Sequence, residues 1–537
     1  MRPPSWHSPS PEEAPEPPRG RMDSTRMPEE HQDDISTGRT PRPADSVAGA
    51  LKTPRFLEST TVKLGQAFGE RLDGAVRSRH RRRLRHVGWE RALDVSELRP
   101  ARGSFPTREG NRLDLLVDGS EALPAIAAEL ARAESYVHLA GWFFSPELAM
   151  SRDDEPKIVR NLLAELAERV DVRVLSWKGA PVPLFKPSQR DVREMLDGLA
   201  RHTRIVAHAD GCTGFMHCHH EKTIVIDGKV AIVGGIDLTT DGGDPWDTPN
   251  HVARGGIGWH DAAIRIEGPA VADVSQHFRL RWHGSTREVL PRPTVPDRAG
   301  DADAQIVRTL PAGAYRAVRR GDYSILESYI GALRSAERFV YLENQFLWSP
   351  EIVSVLADKL RNPPGDDFRV LVLLPARAND GADISRGQVA ALIHAADETT
   401  RFLACTIYAR SRNLRDPVYV HSKIGIVDDR WLTVGSANLN AHSLFHDTEV
   451  NVVTHDPGLA RAARVRLWAE HLELPSEDIE RADPIELIDE QWERISSEQL
   501  ALLEGSEALT HRLVKLPGVS RRRRRLIGPL QSRLYDV

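Results

Sequence analysis

Residues His219–Leu238 read HHEKTIVIDGKVAIVGGIDL, and residues Val420–Asn440 read VHSKIGIVDDRWLTVGSANLN. Both contain the pattern H-x-K-x-x-x-x-D, with His220, Lys222 and Asp227 in the first copy and His421, Lys423 and Asp428 in the second. Side chains alternate along an extended strand, so a histidine and a lysine two residues apart share a face. Apolar runs on both sides of an Asp-containing turn, TIVI with VAIV and IGIV with WLTV, predict one buried hairpin per copy. Two imidazoles that can attack or move protons, beside two fixed ammonium charges, suit phosphoryl transfer.

The duplication extends outward from the hairpins. Ala133–Leu139 (AESYVHL) matches Ala336–Leu342 (AERFVYL), Asp171–Leu175 (DVRVL) matches Asp367–Leu371 (DFRVL), and Asp261–Ile264 matches Glu449–Val452, in the same order. Leu123, Ile126 and Leu130 carry helical spacing ahead of the first matched strand, and Leu326, Ile330 and Leu333 do so ahead of the second. The alternation predicts an α/β fold of two similar half-domains, each a mostly buried mixed sheet flanked by helices. We place the halves at 106–296 and 303–475, with the Pro-rich stretch Leu290–Pro296 and then Asp297–Asp303 as the junction. Residues 1–105 read as a largely disordered Pro-rich and charged tail that ends in a basic segment. Residues 476–537 read as a helical and basic tail, with Glu490–Gly505 as helical surface.

A chain of 537 residues can bury a large core, and its net charge of −5 excludes no partner class. The runs Arg77–His86 and Arg521–Arg525 are strongly basic. Solvated segments are the ordinary reading; an anionic membrane surface is the sharper one, at about 1 kcal/mol per basic residue near the bilayer. Nucleic acid is not favoured, and a monomer is expected. Cys212, Cys218 and Cys405 are too few and too irregular for a disulfide framework. The N-terminus lacks the apolar core of a secretory signal and no stretch reaches spanning length, so the expected location is cytoplasmic, with peripheral membrane contact.

HHEKTIVIDG with GGIDL, YLENQF at Tyr341–Phe346, and VHSKIGIVDD with GSANLN together resemble the phospholipase D superfamily, over roughly residues 110–475. The likeness is strongest to its phosphatidylcholine-cleaving branch, which shares the asymmetry of Gly235 and Asp237 against Ser436 and Asn438. The resemblance implies pseudo-twofold halves meeting at one site. It also implies hydrolysis or alcohol transfer of a phospholipid through a phosphohistidine, water or an alcohol being the acceptor. It assigns His220 as nucleophile and His421 as general acid and base, and pairs Glu449 with His220 and Asp261 with His421. Lys222 and Lys423 would offset the phosphate charge, with Ser436, Asn438 and Gly235 lining its cradle. Asp227 and Asp428 are expected to be structural, and Glu343–Gln345 is a candidate border of the pocket. Cardiolipin synthase-like phosphatidyltransfer, a nuclease and a non-catalytic membrane scaffold are the alternative readings.

Met216–Glu221 reads MHCHHE, which out of context looks like a metal-ligand cluster. Zinc sites usually draw ligands from a second cluster at defined spacing, and the sequence offers none. No metal and no cofactor are expected.

Overall fold

A computed structural model describes residues 73–517, except 152–154, 182–185, 213–216, 241–257, 377–381, 398 and 410–416. The Pro-rich tail of residues 1–50 and the run Arg521–Arg525 lie outside the described residues.

The first half contributes strands β1 (Arg108–Val117), β2 (Tyr136–Gly141), β3 (Asp171–Trp177), β4 (Val206–Asp210), β5 (Lys222–Ile226), β6 (Val230–Gly234), β7 (Trp259–His260) and β8 (Ala262–Glu267). The second contributes β9 (Ala302–Leu310), β10 (Asp322–Tyr323), β11 (Phe339–Glu343), β12 (Arg369–Leu373), β13 (Phe402–Ile407), β14 (Tyr419–Val420), β15 (Ile424–Val427), β16 (Trp431–Gly435), β17 (Glu449–Thr454) and β18 (Leu513–Lys515). Both duplicated segments form the expected hairpins, β5–β6 and β15–β16, in which every strand residue is buried.

The halves share one mixed sheet, ordered β18-β13-β12-β11-β15-β16-β17-β9-β1-β8-β6-β5-β2-β3-β4, with β10 paired to β9. Read inward from either edge, leaving out β18, the order is the same, and the halves join where β1 and β9 pair antiparallel. β2, β3 and β4 are parallel, as are β11, β12 and β13, while each hairpin runs antiparallel to its neighbour. Burial on both faces explains the near-continuous apolar strands. Ile224 and Ile226 enter the core beneath the first half's outer helices, and Val225, between them, joins the core on the opposite face.

The hairpin turns are built alike. Asp227 and Gly228 have φ of 55° and 67°, and Asp428 and Asp429 have φ of 52° and 50°. Paired positive φ values give the turn twist that matches twisted strands. Asp429 adopts this conformation while its carboxylate grips Arg464 through bonds of 2.7–3.0 Å.

Two tail readings are corrected. Residues 73–87 form a helix, not a disordered segment. His80, Leu84 and Val87 fall on one face of it: His80 is buried against Glu351 and stacks on Phe445, while Leu84 and Val87 pack on the second half's core. The arginines occupy the remaining surface, so a charge-run reading overlooks the apolar stripe. At the other end, Trp492, Ile495 and Gln499 are 0–2 % exposed, at helical spacing, and β18 extends the sheet beside β13. The Glu490–Gly505 segment therefore caps the core instead of coating it. No described helix is long and apolar enough to cross a membrane.

Candidate active site

Both motif histidines sit just ahead of the first hairpin strand of their half, and both are drawn across the junction by backbone pairing. Thr448 N donates to Cys218 O, and His220 N donates to Thr448 O, each at 3.0 Å. The mirror contact is the two-stranded pairing of β14 with β7, where Tyr419 N donates to Gly258 O and His421 N to His260 O, both at 2.8 Å. Residue 220 thus lies beside Glu449, and residue 421 beside Asp261.

The imidazoles face each other with ring centres 6.4 Å apart, inclined by 64°. His220 Nδ1 lies 3.1 and 3.2 Å from the Glu449 oxygens and 3.1 Å from Ser436 O. Since its neighbours there are acceptors, Nδ1 carries the proton and leaves Nε2 with the lone pair. His421 Nδ1 lies 2.7 Å from Asp261 Oδ2, and Trp259 stacks on the His421 ring at 4.2 Å.

Lys222 Nζ donates to His220 O at 2.6 Å and lies 3.5 Å from Asp237 Oδ2. Lys423 Nζ donates to His421 O and, at 3.3 Å, to Gln345 Oε1. Gln345 also donates to the Tyr419 hydroxyl, so this member of the Glu343–Gln345 stretch reaches the site. Asn344 Oδ1 accepts from Leu439 N at 3.0 Å, bracing the turn that carries Asn438. Glu343 is buried deeper, bonded to His260 and His471 at 3.0 and 3.1 Å. His260 in turn contacts Asp118, whose carboxylate also accepts from Asp261 N at 3.0 Å.

Two of the cradle residues also support carboxylates. Ser436 Oγ donates to Glu449 Oε2 and accepts from Val450 N, so its proton holds the carboxylate that faces His220. Ser443, which sequence reasoning did not single out, donates to the other Glu449 oxygen at 2.6 Å. A Cβ at Gly235 would meet Asp261 Oδ1 at 2.1 Å, so this glycine makes room for the carboxylate that holds His421. Asn438 stays at the site, 4 % exposed, and its Oδ1 is buried without a hydrogen-bond partner among the described residues.

Asp227 and Asp428 lie at the far ends of β5 and β15. Asp227 accepts from Glu134 N, Ser135 N, Tyr136 N and Ser135 Oγ at 2.8–3.0 Å. Asp428 accepts from Glu337 N, Arg338 N and Phe339 N at 2.6–2.9 Å. Each pins its hairpin to the start of the neighbouring antiparallel strand, β2 for Asp227 and β11 for Asp428.

Burial dominates the electrostatics. It raises Asp261 to about 7 and Glu449 to about 8, and raises Asp237 as well. It lowers Lys423 to about 7. Burial, followed by the two ammonium charges, pushes both imidazoles well below their ordinary value. Burial disfavours the charge on Lys423, so an anion entering beside it would restore its protonation.

The pocket therefore offers an imidazole with a bare nitrogen, a facing imidazole, two ammonium groups and a carboxylate behind each ring. A family model described as "Cardiolipin synthase, PLD-like domain" matches residues 329–470. Phospholipase D A of Dictyostelium discoideum is 27 % identical over 469 residues, covering 69 % of this chain and 36 % of that protein. Phospholipase D alpha 4 of Arabidopsis thaliana is 25 % identical, covering 74 % of this chain and 72 % of that one. Phospholipase D2 of Bos taurus is 24 % identical, covering 65 % and 50 %. This chain thus spans from about a third to about three-quarters of these relatives' lengths. The phosphatidylserine synthase structure from Haemophilus influenzae Rd KW20 superposes with a TM-score of 0.49 at 12 % identity, over 74 % of this chain and 96 % of that one. Through its two H-x-K-x-x-x-x-D hairpins, the matching family model and the phospholipase D sequence relatives, the chain belongs to the phospholipase D superfamily.

Proposed function

We propose that this protein is a phospholipase D that cleaves the headgroup phosphodiester of glycerophospholipids such as phosphatidylcholine, through a covalent phosphohistidine. The observation that carries this reading is the pair of facing imidazoles, 6.4 Å apart, each backed by a carboxylate from the opposite half. His220 Nε2 attacks phosphorus, the bond from phosphorus to the headgroup oxygen breaks, and His421, which takes up a proton as the anionic phosphate enters beside it, gives that proton to the oxygen. His421 then takes a proton from water or an alcohol, whose oxygen attacks phosphorus. The N–P bond breaks, and phosphatidic acid or a phosphatidyl-alcohol leaves. His220 is taken as nucleophile from the family resemblance; its Nδ1 faces only acceptors, which leaves Nε2 free to attack, and His421 on Asp261 is arranged in the same way. Lys222 and Lys423 offset the charge of the phosphoryl oxygens, where positioning and electrostatics carry most of the catalysis.

The test incubates the protein with phosphatidylcholine and a short primary alcohol and separates the lipids. Phosphatidyl-alcohol alongside phosphatidic acid is expected, and loss of both products in His220→Ala and His421→Ala ties them to the pair. Conversion of phosphatidylglycerol without reaction on phosphatidylcholine would favour phosphatidyltransfer, the alternative that the name of the matching family model supports. Cleavage of DNA alone would make the protein a nuclease.

A further inference from the structure

MHCHHE has no second ligand cluster at zinc-type spacing in the sequence. The fold supplies one from the other half. His442 opens the π-helical turn His442–His446, and Asp447 follows it directly. Ligand atoms of His217, His442 and Asp447 lie within 4.8 Å of one another, with His217 Nδ1 3.9 Å from Asp447 Oδ1.

The backbone holds these groups in place. Asp447 Oδ1 accepts from Cys218 N at 2.8 Å, and Asp447 N donates to His442 O at 2.8 Å. The His217 ring is stacked on His446, 4.8 Å between centres and 8° from parallel. His217 and His442 are half-buried and Asp447 is buried. A zinc ion with bonds of about 2.0–2.2 Å sets tetrahedral ligands roughly 3.4 Å apart. The three groups need to close by roughly 1 Å to reach that spacing, which the half-buried rings can supply. Arg83, bonded to His446 Nδ1 at 2.6 Å, brings a positive charge close by and weakens the attraction for a cation. Two imidazoles and one carboxylate select a zinc-class ion over calcium or magnesium, which prefer all-oxygen sites.

We propose that His217, His442 and Asp447 bind one divalent transition-metal ion of zinc type, clamping the 217–220 segment of the first half to the 442–449 segment of the second. The ion would steady the turn whose Ser443 holds Glu449 against His220. Three protein ligands would leave one position of a tetrahedral ion for water.

The test uses the full chain, stripped by chelator and dialysed, titrated with zinc chloride by calorimetry and with cobalt(II) by visible absorption. One ion per chain is expected, with cobalt bands of low-coordinate N/O character and no competition from calcium or magnesium. His442→Ala and Asp447→Asn should each weaken binding by more than roughly 100-fold, beyond the effect of losing an outer-shell partner. Asp447→Asn keeps an acceptor for Cys218 N, and circular dichroism confirms that both variants fold. His202→Ala, at an exposed position elsewhere, should bind as the parent does. Absence of zinc uptake by the parent, or uptake that survives both substitutions, overturns the proposal. The readout is binding, so it stands apart from whether phosphatidylcholine is cleaved.

Discussion

Replacing Asp428 should damage the fold and spare the chemistry, although Asp428 belongs to the motif that defines the site. Its carboxylate accepts three main-chain N–H bonds, from Glu337, Arg338 and Phe339. Glu337 and Arg338 are exposed, so water can replace their bonds in Asp428→Ala, whereas Phe339 is buried and its N–H is stranded. A stranded buried donor costs about 1–3 kcal/mol, and the lost charge-assisted bonds add roughly another 1 kcal/mol. Asp428 also has φ of 52°, where alanine lacks the local hydrogen bonding that lets aspartate tolerate it, at about 1 kcal/mol. The total is about 3–5 kcal/mol, a large part of a typical stability of about 5–15 kcal/mol. Asp428→Asn keeps one acceptor oxygen and should lose about half as much; Asp428→Gly should recover about 1 kcal/mol relative to alanine. Urea unfolding gives the stabilities, and turnover at a temperature where every variant is folded gives the chemistry. A fall in turnover beyond about 100-fold with stability changed by less than about 1 kcal/mol would refute the reasoning, because a positioning loss of that size would place Asp428 in the reaction.

Gly235→Ala puts a methyl where Asp261 Oδ1 sits, so His421 loses its partner; turnover should drop about 100-fold, and crystallography should show Asp261 displaced. Glu449→Gln should reduce turnover yet change the pH dependence of stability. Burial raises Glu449 to about 8, so its contribution is fully present below about 4.5 and lost as pH rises through about 8. The stability of Glu449→Gln relative to the parent, from urea unfolding, should therefore rise between pH 5 and pH 8 by more than about 1 kcal/mol; a constant difference contradicts this. Arg281→Met leaves Glu221 and Asp210 buried without the guanidinium that contacts them at 2.5 and 3.0 Å, which should cost about 3–5 kcal/mol in urea unfolding.

The parts of the molecule legible in the sequence are those where one period or one repeat dominates. TIVI and VAIV are β-branched, apolar and split by a turn, so β5 and β6 could be read directly, and repetition located β15 and β16. The helix of residues 73–87 is hidden in the sequence because six arginines and two histidines outweigh a stripe of His80, Leu84 and Val87 in composition, though that stripe sets which face is buried. Trp492, Ile495 and Gln499 were hidden in the same way among charged neighbours. The metal-type cluster was illegible because its members are 225–230 residues apart in sequence and meet only through the bridge between His219 and Thr448.

The residue identities that differ between the two halves make sense as matched pairs. Position 261 carries a short acid, which comes so close to position 235 that only glycine fits there. Position 449 carries the longer glutamate, and the equivalent position 436 carries a serine whose hydroxyl holds that glutamate's oxygen. The reach of the carboxylate and the size of its neighbour therefore compensate each other. This explains how two halves of different sequence bring their imidazoles to facing positions. Gly235 and Ser436, which look in the sequence like unequal copies of one phosphate-binding turn, are supports for the two carboxylates. Exchanging either residue for its counterpart alone would break one pair: Gly235→Ser would crowd Asp261, and Ser436→Gly would release Glu449. Fold and site thus share one cause, since the backbone bridges at His219–Thr448 and at β7–β14 that join the halves also deliver each acid to the opposite histidine.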